Sequence, residues 1–164
     1  MSQSAQTPFS TFTPSTEFPG WHEWSLVDER RFNNAVLGRL LVRGDTDSSA
    51  TVRMFPQMRH TNMLEAVHGG ATLGFIDVAL FGAARQFGLK EFAAAVTLDL
   101  SVQFIGAGKA DEPLDARTEL LKETGRFLFM QGRIEQGDHL VASFQGTVRK
   151  ASPRVSQLMA EKLK

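Results

Sequence analysis

Between Ala71 and Ala84 the chain is apolar or small at almost every position, and Asp77 is the one ionisable residue of the run. The run is long enough for about four helical turns and falls well short of the roughly 20 residues of a membrane span. A helix apolar on every side belongs in a protein interior, so the pattern predicts a buried helix from the His68-Gly69-Gly70 box to near Gly88. Ahead of it, Asn34 to Arg43 and Ala50 to Phe55 read as two strands, joined by the turn chemistry of Gly44 to Ser49. Pro56 closes that hairpin. Behind the helix the period changes from 3.6 to 2, with Leu98, Leu100, Val102 and Phe104 alternating with Thr97, Asp99, Ser101 and Gln103. Strict alternation puts Thr97 on the face opposite that apolar stripe. Leu114 to Glu123, Arg126 to Gln136 and His139 to Lys150 follow as strands, parted by Thr124-Gly125 and Gly137-Asp138. Links so short join antiparallel neighbours only. Hairpin, long helix and four-strand meander make an α+β arrangement, a sheet wrapped around one helix.

The two ends read differently. Residues 1–20 are rich in Ser, Thr, Gln and Pro, with Phe9, Phe12 and Phe18 among them, and are expected to form a flexible, extended or disordered arm. Trp21, Trp24, Leu26 and Val27 suggest a short amphipathic segment at the start of a folded unit spanning 21–152. Residues 153–164, with Val155, Leu158, Met159 and Leu163, read as a tail or short helix. The 164 residues suffice for one good core.

Charge and special residues narrow the chemistry. Eighteen basic and eighteen acidic residues cancel, so nothing in the balance attracts nucleic acid or an anionic membrane. The sequence has no cysteine, which excludes a disulfide framework, a thiol nucleophile and a cysteine-ligated metal, and fits a cytoplasmic location. The first Lys or Arg is Arg30, so no basic signal-peptide region is expected. The four histidines, His22, His60, His68 and His139, include no i, i+4 pair of the kind that binds zinc on a helix, and no metal site is expected. Gly106-Ala-Gly-Lys109 lacks the spacing and the following helix of a phosphate loop, and no Gly-x-Ser-x-Gly marks a serine hydrolase.

What remains is the helix and its entry. An unpaired carboxylate is costly to bury, so Asp77 needs a partner or a role. Gly69 and Gly70 place two backbone amides where a helix leaves its N–H groups unpaired and its dipole favours negative charge. An anion-stabilising end with a carboxylate about two turns along suggests a catalytic site.

Asn62, five residues, His68-Gly69-Gly70, and Asp77 nine positions after the histidine together resemble the hotdog fold of acyl-CoA thioesterases, and within it the group that includes the phenylacetate-pathway thioesterases. The resemblance covers roughly residues 34–150. It implies a long central helix wrapped by a five- to six-stranded antiparallel sheet. It also implies hydrolysis of an acyl-CoA or aryl-acyl-CoA thioester without a cofactor, coenzyme A being part of the substrate. Asn62 and His68 would orient and polarise the thioester, the Gly69 amide would stabilise the oxyanion with Gly70 beside the substrate, and Asp77 would act as general base or nucleophile. Thr97 matches the position that holds the water. Such sites are shared in a homodimer, with Asn62, His68 and Gly69 from one chain and Asp77 and Thr97 from the other; many are homotetramers built as dimers of dimers. Arg85, Lys109, Arg126, Arg149 and Lys150 are the basic candidates for contacts with the coenzyme A phosphates, Lys109, Arg126 and Arg149 foremost. One departure is Glu65, where relatives commonly carry glycine or a small residue. Two other functions stay open at this point. A non-catalytic acyl-CoA-binding module would be expected to lose the helix carboxylate, and a hotdog hydratase or dehydratase would carry His-Phe-Pro-Gly or Asp-(four residues)-His.

Overall fold

The computed structural model describes residues 5–6, 9–89 and 94–152, with residues 154, 155, 158 and 161 beyond them. In chain order the elements are β1 (Ala5–Gln6), β2 (Ser10–Pro14), β3 (His22–Leu26), β4 (Leu40–Thr46), β5 (Ser49–Met54), α1 (Gly69–Gln86), β6 (Val96–Phe104), β7 (Leu114–Glu123), β8 (Phe127–Gln136) and β9 (His139–Arg149). All strand pairings are antiparallel, in one sheet of order β1-β2-β3-β4-β5-β7-β8-β9-β6. The helix lies against one face of this sheet. Phe75, Ile76 and Leu80 pack there on Val42, Val52, Met54, Leu114, Ala116, Met130 and Phe144, which alternate inward along the strands.

Among the described residues the sheet has nine strands where five or six were expected, because the N-terminal arm joins it. Ser10–Pro14 pairs with His22–Leu26, which in turn pairs with β4. Its Ser/Thr/Pro composition resembles a disordered tail, yet Phe12 is buried, stacked on the His22 ring at 4.5 Å and covered by the Arg85 guanidinium at 4.4 Å. Those contacts are long-range in sequence and invisible to composition. Trp21, at the end of the connection from β2, is held between the guanidinium groups of Arg43 and Arg53, each within 4.6 Å of its ring. The folded unit therefore begins well before residue 21.

The strand expected from Asn34 to Arg43 starts only at Leu40. Residues Asn33–Leu37 form a helical turn, and Gly38 (φ 82°) redirects the chain. The Asn34 side chain explains the difference: its Oδ1 accepts from the Leu26 amide (3.1 Å) and its Nδ2 donates to the Leu26 carbonyl (2.7 Å). A side-chain amide thus completes β3 where a strand neighbour would otherwise stand.

Helix α1 is also less enclosed than its composition predicts. Phe75, Ile76, Ala79, Leu80 and Ala83 are fully buried, but Gly70 and Leu73 are exposed and Asp77 and Phe81 only half-buried. These four follow one another at helical spacing, a stripe that the chain's own sheet covers only in part. Beside it runs β6, a sheet edge with Val96, Leu98 and Phe104 exposed. The expected C-terminal helix is seen at Arg154, Val155, Leu158 and Glu161; Pro153, Met159 and Leu163 lie outside the described residues.

Candidate active site

His68 caps α1. Its backbone is extended, its carbonyl accepts the Thr72 amide (3.0 Å), and its Nδ1 accepts the Gly70 amide at 2.8 Å. A backbone amide can only donate, so Nδ1 is unprotonated and the ring proton sits on Nε2. With Gly70 and Thr72 engaged, the amides of Gly69 and Ala71 are left without a hydrogen bond among the described residues. Those are the donors a developing oxyanion would meet at the positive end of the helix dipole.

The loop before the helix is braced by Asn62. Its Oδ1 accepts from the amides of Leu64 (2.8 Å) and Ala66 (3.3 Å), an Asx-type turn, while its backbone amide donates to the Ala66 carbonyl at 2.8 Å. Glu65 sits in that turn with φ 60°, left-handed backbone that favours glycine. Asn62 and His68 thus each hold local structure: one shapes the loop and the other caps the helix.

Asp77 has a partner in its own chain. The Thr97 hydroxyl donates to Asp77 Oδ1 at 2.7 Å. Alternation along β6 put Thr97 on the wrong face, and a β-bulge reverses this. Thr97 stands opposite Val148 while Asp99 stands opposite Thr147, so Leu98 is an extra residue. Past the bulge Leu100 faces Gly146 and Val102 faces Phe144, which places Thr97 on the same inward side as both. Leu98 is left half outside the sheet, 52% exposed.

Distance divides the candidates into two groups. Eight residues of helix separate Gly69 from Asp77, about 12 Å along the axis. One carbonyl cannot take an oxyanion bond at one point and a water from a base at the other within a single chain. The basic candidates divide in the same way. Arg149 stands opposite Val96 at the start of β6, and Arg126 lies in the turn next to its neighbour Phe127. Lys109 follows the far end of β6, paired to Glu112 at 2.7 Å and bridged through its backbone to Ala66. The length of β6, about 26 Å, lies between them. A hollow of about 780 Å³ lined by Arg43, Ser49, Arg117, Arg133 and Ser143 contains none of these residues.

Two residues not marked by the sequence reading, Phe104 and Phe32, stand at the site beside His60, which reads as a loop histidine. Phe104, at the end of β6, puts its ring 3.4 Å from where a Cβ on Gly69 would be. Phe32 contacts α1 one turn before Asp77. The buried His60 ring binds the Val36 carbonyl through Nε2 (2.6 Å) and accepts the Gln57 amide at Nδ1 (2.8 Å), while the His60 carbonyl accepts the His68 amide (2.7 Å). A histidine in the loop ahead of the helix was the one signal the sequence offered. The aromatic rings carried none, since apolar residues in these patterns read as core.

Known proteins resemble this chain in sequence and in fold. Residues 64–143 match the model of the thioesterase superfamily. A Pseudomonas aeruginosa protein described as an esterase is 30% identical over 111 residues, 68% of this chain and 82% of that one. Among solved structures, the PaaI protein from the phenylacetic acid degradation operon of E. coli aligns with a TM-score of 0.64 at 22% identity, over 76% of this chain and 87% of its own. A protein from Streptococcus pneumoniae described as a hypothetical thioesterase, solved with coenzyme A, aligns with a TM-score of 0.62 at 20% identity, over 72% of this chain and 92% of its own. Among the described residues no helix is long and apolar enough to cross a membrane. On this match and this relative, the chain belongs to the thioesterase superfamily of hotdog-fold thioester hydrolases.

Proposed function

We propose that the protein hydrolyses acyl-CoA thioesters to the free acid and coenzyme A at a site completed by two chains. The observation that carries this reading is the Thr97–Asp77 pair, placed on the open stripe of α1 about 12 Å from the free amides of the same helix. A second chain laid antiparallel along the stripe and the β6 edge would bring its Gly69 amide to Asp77. It would also cover Leu73, Leu98 and Phe104, the exposed apolar residues there. Lys109 of one chain would then flank the same site as Arg126 and Arg149 of the other, positions suited to coenzyme A phosphates. The smallest unit this requires is a homodimer.

With Thr97 donating to Oδ1, Oδ2 of Asp77 and the lone pairs of the Thr97 hydroxyl are available to a water, which favours Asp77 as general base. Asp77 takes a proton from that water as its oxygen bonds to the carbonyl carbon. The charge formed on the carbonyl oxygen is met by the Gly69 amide. The carbon–sulfur bond then breaks, and the thiolate leaves and takes up a proton. A positioned base contributes about 10²–10⁴-fold. Thiol release from short, medium, long and aryl acyl-CoAs, measured for the native protein beside Asp77→Asn, tests the reading. A fall of at least about 10²-fold with the dimer intact is expected. Native activity in the Asp77→Asn variant would overturn it.

A further inference from the structure

Phe32 opens the helical turn Asn33–Leu37, and the residue is 49% exposed although its ring packs against the central helix. It lies directly on Gly74. A Cβ built there would be 2.8 Å from Phe32 Cζ and 3.2 Å from Cε1, closer than side chains tolerate. Gly74 is four residues beyond Gly70 and three before Asp77, so the ring occupies the helix face between the N-terminal amides and the carboxylate. The turn that carries it is fixed in place. Val36, the residue one turn after Phe32, gives its carbonyl to the buried His60 ring, and the His60 carbonyl holds the His68 amide.

We infer that Phe32 is the specificity-determining wall of the acyl site, its ring seated in the notch left by Gly74 and limiting how far an acyl chain can run along the helix from Asp77. This rests on the thioesterase reading above and extends it to the substrate's length. An acyl group whose carbonyl lies at Asp77 meets the ring within one helical turn. The favoured substrates are therefore short or compact acyl-CoAs. The Asn33–Leu37 turn, through His60, ties that wall to the residue capping the oxyanion end, so wall and cap are held as one unit.

The test is the chain-length profile of thiol release for the native protein, Phe32→Ala and Phe32→Trp. Removing the ring frees space for roughly three or four methylenes after partial relaxation. Each methylene newly buried favours the longer substrate by about fourfold in kcat/KM. Phe32→Ala is expected to move the optimum to longer chains, and Phe32→Trp to shorter ones, with turnover on each variant's best substrate kept within about tenfold. Phe32→Leu, which keeps an apolar contact on Gly74, serves where the alanine variant fails to fold, and should shift the optimum partway. An unchanged profile, or a uniform loss at every length, overturns the inference while leaving the thioesterase reading intact. A native protein that cleaves no acyl-CoA of any length overturns both.

Discussion

The Thr97–Asp77 hydrogen bond gives the most direct access to the proposed chemistry, through Thr97→Val. Valine has nearly the shape of threonine, so the bulge, the strand register and the packing against Val148 should survive, and the change removes only the hydroxyl that donates to Oδ1 at 2.7 Å. Hydrogen bonds to charged groups are worth about 1.5–3 kcal/mol. Asp77 is half-buried and open to water in a single chain, which places this bond at the lower end, about 1.5 kcal/mol. If the bond acts by aiming the base and its water, that energy appears in the transition state, as a roughly tenfold fall in kcat with KM little changed. The decisive form is a double-mutant cycle in thiol-release assays. In an Asp77→Asn background there is no charged base to aim, and Thr97→Val should then cost less than about twofold. The same tenfold loss in both backgrounds would refute the reasoning, since Thr97 would be acting independently of Asp77.

Other outcomes follow from single features. Glu65 at φ 60° stores left-handed strain of roughly 1–2 kcal/mol. Glu65→Gly should therefore be nearly neutral in urea unfolding, its gain offset by a freer unfolded chain, whereas Glu65→Val should lose about 1–2 kcal/mol. Leu98→Lys puts a charge on the exposed β6 edge, and in light scattering it should shift the protein towards monomer, with activity falling in parallel. Burial, and then the charge of Arg85, hold the His22 imidazole below its usual value of 6.5. The fold thus favours the neutral ring, and its contribution to stability is full above pH 6.5 and lost as pH falls from there through the lowered value of the folded state. The urea midpoint should drop between pH 7.5 and 5.5, and His22→Phe, which preserves a ring stacked on Phe12, should reduce the drop. Glu23, held low chiefly by its hydrogen bond with Arg39, adds a separate loss only below 4.5.

The central helix and the meander β7–β9 were legible because each element carries its own periodicity and its own turn residues. Elsewhere the deciding contacts are distant. Phe12 is buried by Arg85 and His22, so a segment with the composition of a loose arm became a strand. Asn34 serves Leu26 rather than a strand of its own. The Thr97 discrepancy is more instructive. Leu98 is apolar, so the inserted residue prolongs an apparently regular alternation and conceals the bulge, and a count by twos then assigns Thr97 to the wrong face. The motif around His68 was recognisable because glycines at a helix start are chemically distinctive. Its division between two ends of one helix is a matter of length that residue types do not display.

That 12 Å interval has a genetic consequence. On the shared-site reading each active site takes its oxyanion donor from one polypeptide and its base from the other. A chain disabled at Asp77 and a chain disabled at the His68-Gly69 corner are then each silent as homodimers. Co-expressed, they form mixed dimers in which one site inherits both lesions and the other inherits neither. Random pairing would restore roughly a quarter of native activity from two null alleles, whereas two lesions at the same end could never complement.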